Sequence, residues 1–211
     1  MADLVEYYRR RAGEYEAIYA KPERQADLAV LQATIPGRLR GRRVVEVACG
    51  TGYWTTGIAA AAASVVATDM AEETMELARR KPYPRRNVTF RKEDAYRLPA
   101  DLGSFDGAFA GFLWSHIPRE RLREFLGSLH ARLEPGARVL IVDNTYVAGA
   151  STPLSAPDAA GDTWQDRTLA DGSRHHVLKN FPAAGELEGL LPPSLAVTTL
   201  QYYWLAEYQR P

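Results

Sequence analysis

Residues 44–55, VVEVACGTGYWT, constrain the fold more than any other stretch of this 211-residue chain. The β-branched run reads as a buried strand. It carries one carboxylate, Glu46, and runs directly into Cys49, Gly50, Thr51 and Gly52. Glycines at the end of a strand let the backbone approach a ligand closely. In an open parallel sheet that ligand lies beyond the carboxyl ends of the strands, near the point where strand order reverses.

The flanking pattern supports such a sheet. SVVATD, NVTFRKED, SFDGAFAGF and ARVLIVDN read as further short strands. Between them, YWTTGIAAAAA, AEETMELARRK and PRERLREFLGSLHARLEPG read as helices. In the last of these, Leu122, Phe125, Leu126, Leu129 and Leu133 recur at helical spacing between Pro118 and Pro135-Gly136. Strands alternating with helices predict an α/β fold whose mostly parallel sheet is covered on both faces. Two helical stretches precede the first strand. A long irregular segment, YVAGASTPLSAPDAAGDTWQDRTLADGSR, follows the fifth, then a short helix PAAGELEGLL and an aromatic strand LAVTTLQYYWLAEYQ. A loop of that length reads as a lid or a binding loop.

Composition narrows the classes. Lys+Arg and Asp+Glu are both 26, so no global basic charge favours nucleic acid. The single cysteine, Cys49, allows no intrachain disulfide, which fits a cytoplasmic location. No stretch has the length of a membrane span, and the N-terminus shows no apolar signal core.

The ligand chemistry follows from two acids and one missing glycine. Asp69 closes the second strand, where a carboxylate can accept hydrogen bonds from two ribose hydroxyls. The dinucleotide fingerprint needs a third glycine at position 55, which is Thr55 here. Glu46 would repel a pyrophosphate but not an ammonium or sulfonium. The expected ligand is a nucleoside with a cationic amino-acid tail.

At this point VVEVACGTG resembles motif I of the class I S-adenosylmethionine-dependent methyltransferases, small-molecule type. VVATDMAEETMELA, VTFRKEDAYRLP, FDGAFAGFLWSHIP and LEPGARVLIVD resemble the later segments of that family, in order, over residues 42–145. The resemblance implies a Rossmann-like seven-stranded sheet with a reversed last strand and an N-terminal helical cap. It divides one domain into a cap (1–40), a cofactor core (42–145), a substrate lid or insert (146–180) and a C-terminal helix and strand (181–211). It also implies S-adenosyl-L-methionine as cofactor and S-adenosyl-L-homocysteine as product. Carried over, Glu46, Ala48 and Gly50 line the methionine portion and Gly52 shapes the turn. Asp69 takes the ribose and Met70 packs on adenine. Asp94 accepts from the adenine amino group, with a backbone contact from Ala95. Phe109 or Ala110 lies near the sulfonium. Tyr7, Tyr15 and Tyr19 would close over the cofactor, and Arg11 would meet its carboxylate.

The acceptor side is read from what surrounds the fourth strand. His116 can take a proton from a hydroxyl or amine, the alternative being a histidine bonded to the next helix. Trp114, Ser115 and Trp164 are candidate substrate contacts. His175 and His176 adjoin in a strand and point to opposite faces, so no metal site is expected. The Asn/Asp-Pro-Pro-aromatic signature of the nucleic-acid adenine methyltransferases is absent from FAGFLWSHIP. The reading is methyl transfer to oxygen or nitrogen of a small-molecule acceptor by a monomer or homodimer, without nucleic-acid or membrane partners. The alternatives are a non-catalytic cofactor-binding scaffold and a nicotinamide-dependent oxidoreductase.

Overall fold

The computed structural model describes residues 7, 11–183 and 185–211, without the side chains of Ala12, Glu14 and Tyr15. Tyr15, expected over the cofactor, therefore lies outside the described side chains. A 3₁₀ segment, Ala12–Ala20, and a shorter one, Pro22–Arg24, lead into helix α1, Gln25–Arg38. The core then alternates β1 (Arg43–Val47), α2 (Tyr53–Ala61), β2 (Ser64–Asp69), α3 (Glu72–Arg79), β3 (Val88–Lys92) and β4 (Phe105–Gly111). A 3₁₀ turn, Trp114–His116, precedes α4 (Leu122–His130) and β5 (Leu133–Asn144). The chain closes with β6 (Trp164–Thr168), β7 (Arg174–Leu178), α5 (Glu186–Leu190), β8 (Ala196–Thr199) and β9 (Tyr203–Gln209).

Seven strands form one sheet in the order β3-β2-β1-β4-β5-β9-β8. The pairs among β1 to β5 are parallel, and β9 is antiparallel to both β5 and β8. This is the Rossmann-like sheet with a reversed strand. The aromatic C-terminal stretch supplies two strands where one was expected. It folds back at Leu200, whose N–H donates to the Tyr203 carbonyl at 2.8 Å. Strand order reverses between β1 and β4, so the ligand crevice falls past the ends of those two strands.

Alternation of side chains along each strand divides the core in two. Val44, Phe109, Leu140, Val142 and Leu205 pack with Leu28, Leu31 and Ile35 of α1 and with Trp54 and Ile58 of α2. Val45, Val47, Ala108, Ile141 and Trp204 pack on the opposite face with Phe125, Leu126 and Leu129 of α4 and Leu187 of α5. Glu46 shares the parity of Val44 and is sent into the first layer, among apolar side chains. Leu133, in phase with the α4 stripe, belongs to β5 instead.

The insert after β5 is more ordered than its composition predicts. β6 and β7 pair as an antiparallel hairpin. WQDRT lacks the apolar alternation that marks a strand. The hairpin is held instead by polar burial and ring stacking: the Gln165 amide donates to the Thr152 carbonyl at 2.8 Å, and the Trp164 and His176 rings stack at 5.0 Å. Its base is pinned to the core. The Asn180 amide donates to Asp162 at 2.8 Å, and the Arg119 N–H donates to the same carboxylate at 2.9 Å.

Phe125 is fully buried where α4 meets the sheet. Phe125→Ala is expected to cost about 3–5 kcal/mol, read from urea unfolding midpoints at unchanged m-value.

Candidate active site

The turn after β1 has a conformation that its glycines make possible. Ala48, Gly50 and Gly52 all have positive φ, at 56°, 54° and 77°. A Cβ on Gly52 would meet the Tyr83 hydroxyl at 2.8 Å and Ala78 Cβ at 2.9 Å, so this position admits only glycine without displacement. The Gly50 N–H donates to Asp69 Oδ2 at 2.8 Å, and the Ala71 N–H donates to Oδ1 at 2.8 Å. Asp69 thus locks the glycine turn to the end of β2. Each of its oxygens keeps a further lone pair for a ligand hydroxyl. Burial raises the Asp69 pKa, and the backbone donors around it oppose that rise.

Glu46 is 1% exposed, and its Oε2 has no hydrogen-bond partner among the described residues. Burial pushes its carboxyl up to about 8. Asp69 adds to the rise. The nearby Thr55 hydroxyl opposes it, although its geometry falls short of a hydrogen bond. A buried carboxyl with an idle oxygen is costly unless something donates to it. A ligand ammonium would do so. Met70, beside Asp69, is an exposed apolar side chain at 41%, and Asp94 follows β3 with its Oδ1 accepting the Tyr96 N–H at 2.9 Å. Ala95 is half-buried next to it.

The N-terminal segment is strapped over the glycine turn. The Thr51 hydroxyl donates to Glu16 Oε1 at 2.7 Å, and the same oxygen pairs with the Lys81 ammonium. Tyr19 is buried and stacks on Tyr53 at 3.7 Å, edge-on to Trp54 and Phe112. Tyr7 is buried further along, against His175 at 5.3 Å, with Arg11 5.8 Å above its ring.

Past β4 the structure assembles a polar centre that sequence reasoning only half anticipated. Asp143, fully buried at the end of β5, accepts the Ser115 N–H and hydroxyl, both at 2.9 Å. Lys179 lies 3.3 Å from the same carboxylate and donates to Ser115 Oγ at 2.6 Å and Asn144 Oδ1 at 2.9 Å. Ser115 is therefore a link in this network. His116 is bonded, though to β7 rather than to the next helix: its Nδ1 lies 2.7 Å from the Leu178 carbonyl. A carbonyl only accepts, so Nδ1 carries the proton and Nε2 the lone pair. Burial, then the charges of Lys179, Arg167 and Arg11, hold the His116 pKa well below its usual value.

A cavity of about 610 Å³ opens beside this centre, between the N-terminal segment and the insert. Tyr7, Arg11, Asn144, Arg167 and Lys179 line it, and His116 lines a smaller neighbouring pocket with Tyr19 and Phe112. Trp114 is buried against Trp204 at 6.1 Å, and Trp164 lies on the hairpin against His176. Neither indole lines the cavity. Phe109 and Ala110 are buried within β4, one in each core layer. Lys179, Asp143, Glu16 and Arg24 carried no signal in the sequence, because isolated charges reveal burial only after folding.

A Gly-x-Gly turn, a strand-ending acid and a crevice at the strand-order reversal define a Rossmann-like domain for a nucleoside cofactor. A family model described as a methyltransferase domain matches residues 44–136. A demethylmenaquinone methyltransferase of Clavibacter sepedonicus is 35% identical over 118 residues, 55% of this chain and 46% of that protein. One of Staphylococcus epidermidis is 30% identical over 112 residues, 50% and 44% respectively. The chain covers less than half the length of these curated relatives. Two solved structures of a protein designated DhpI cover 100% of this chain at a TM-score of 0.80. Its complex with SAH is 29% identical and 98% covered, and its complex with SAM and HEP is 30% identical and 99% covered. The chain belongs to the class I S-adenosylmethionine-dependent methyltransferases, and S-adenosylmethionine is its cofactor. The idle Glu46 oxygen and the side-chain-free approach at Gly52 fit that group.

Two outcomes are expected. Gly52→Ala should destabilise the fold by about 1–3 kcal/mol and abolish S-adenosylhomocysteine binding, read by thermal unfolding with and without ligand. For Glu46, the folded carboxyl holds a proton that the unfolded chain releases near 4.5, so its contribution to stability falls as pH rises from about 4.5 to about 8. The unfolding midpoint of the ligand-free Glu46→Gln variant should accordingly gain on wild type across that window. A constant gap would show that Glu46 does not titrate there.

Proposed function

We propose that this chain transfers the methyl group of S-adenosylmethionine to an oxygen or nitrogen of a small-molecule acceptor in the cytoplasm. The cavity carries the reading. At about 610 Å³ it has the size of a small-molecule site, and it lies at the carboxyl end of β5, where Asn144 and Thr145 line it. No helix among the described residues is long and apolar enough to cross a membrane. The cavity's lining residues fall outside residues 44–136, so the acceptor of the curated relatives does not carry over with the matched domain.

Within this reading Glu46 accepts from the cofactor ammonium and Asp69 from the ribose hydroxyls. Asp94 and Ala95 meet the adenine, and Met70 covers it. Ala48, Gly50 and Gly52 let the backbone lie close. Phe109, which pairs with Glu46 across the sheet and shares its face, forms the apolar wall behind the sulfonium, while Tyr7, Tyr19 and Arg11 enclose the site from the N-terminal side. The bound cofactor supplies an electrophilic methyl group for in-line displacement. The residues around it orient the acceptor and exclude water. His116 is neutral with a lone pair on Nε2. A weak base is enough, because an acceptor O–H or N–H becomes strongly acidic as its heavy atom gains the methyl group.

Calorimetry with S-adenosylmethionine, S-adenosylhomocysteine and NAD, on wild type and Asp69→Ala, tests the cofactor assignment. The first two should bind, NAD should not, and the substitution should weaken binding by about tenfold or more. Radiolabelled methyl transfer to a panel of small alcohols, phenols, acids and amines then tests the reaction. His116→Gln should lower kcat and leave cofactor affinity unchanged. Cofactor binding with no turnover on any acceptor would favour a binding protein.

A further inference from the structure

The cavity has an unusual charge. Arg11, Lys21, Arg24, Arg167 and Lys179 all line it, and no carboxylate is among the described residues that line it. Arg24 is the most telling of them. It is 7% exposed and lies over the rings of Tyr202 and Tyr203 at 5.5 and 5.7 Å. Its Nε and Nη1 are buried with no hydrogen-bond partner among the described residues. Buried guanidiniums are normally paired, because desolvating an unpaired charge is unfavourable. The neighbouring acids are engaged elsewhere. Asp27 accepts the Tyr202 N–H at 2.7 Å, and Asp143 is taken up by Ser115, Asn144 and Lys179.

The cations also act on one another. The Lys179 pKa is lowered to about 8: burial is the largest cause, Asp143 opposes it, and Arg167 and Arg24 add to the fall. The cofactor brings no net negative charge to this cavity. It carries one carboxylate against an ammonium and a sulfonium, a net charge of +1. Arg167 is fixed in place: it donates to Gln165 Oε1 at 2.8 and 3.2 Å and to the Tyr7 hydroxyl at 3.3 Å. A guanidinium fixed in this way suits the planar, two-point recognition of an oxyanion.

We propose that the methyl acceptor carries an oxyanion, phosphoryl or carboxylate, which this cavity binds through Arg24 and Arg167 with Arg11 and Lys179 beside them. The proposal rests on the methyltransferase reading and names its substrate class.

The test is calorimetry on the full chain saturated with S-adenosylhomocysteine. Inorganic phosphate and acetate are titrated separately at an ionic strength fixed with chloride. At least one should bind, and the tighter of the two distinguishes a phosphoryl from a carboxylate handle. Arg24→Gln and Arg167→Gln should each weaken that binding by about tenfold or more, whereas exposed Arg40→Gln should leave it unchanged. Arg24→Lys, which keeps the charge and loses the fork, should fall between, and it stands in for Arg24→Gln if that variant does not fold. Undiminished S-adenosylhomocysteine binding with no anion binding overturns the proposal and leaves the methyltransferase reading standing. So does anion binding that is indifferent to both arginine sites. Failure of wild type to bind S-adenosylhomocysteine overturns the two together.

Discussion

Asp143 holds the functional half of this molecule together. Its carboxylate is fully buried at the end of the strand where the parallel sheet meets its reversed strand. It takes a backbone N–H and a hydroxyl from Ser115, a backbone N–H from Asn144, and an ammonium contact from Lys179. These donors come from three places in the chain: the turn after β4, the end of β5, and the residue after β7. A charged network of this kind specifies one arrangement, because removing any member strands the others in a dry interior. The position of the insert, and so the wall of the cavity, is set here.

The cofactor side shows the opposite economy. Glu46 sits inside the apolar layer under the glycine turn with one oxygen unsatisfied. An apolar residue there would make a more stable strand. The carboxyl is tolerated within a sheet packed on both faces, and its idle oxygen would accept from a cationic donor. Stability is surrendered at a place where a bound ammonium would recover it.

Much of this architecture was legible in the sequence. The alternation of strands and helices, the Gly-x-Gly turn and the two acids at 46 and 69 are local signals, and local signals survive in a linear chain. The same holds for the amphipathic stripe of α4. The hairpin of β6 and β7 was not legible. Its alternation is polar, and its cohesion comes from Gln165 finding the Thr152 carbonyl and Trp164 finding His176. Arg24 and Lys179 were invisible for a related reason. A lone cation in a sequence reads as solvent-facing, and only the tertiary structure turns it inward. Trp114 was visible, but its place against Trp204 in the core depends on β9, far along the chain.

The strap formed by Glu16 with Thr51 and Lys81 has a thermodynamic consequence. The same N-terminal segment touches the glycine turn through Glu16 and lines the cavity through Arg11, Ile18 and Lys21. Two ligands that share one wall cannot have independent affinities. Whatever the first to arrive does to order that wall lowers the entropic cost for the second, and linkage makes the benefit equal in both directions. The strap thereby ties the glycine turn and the cavity to one segment, so that ligands at the two would share a single binding equilibrium.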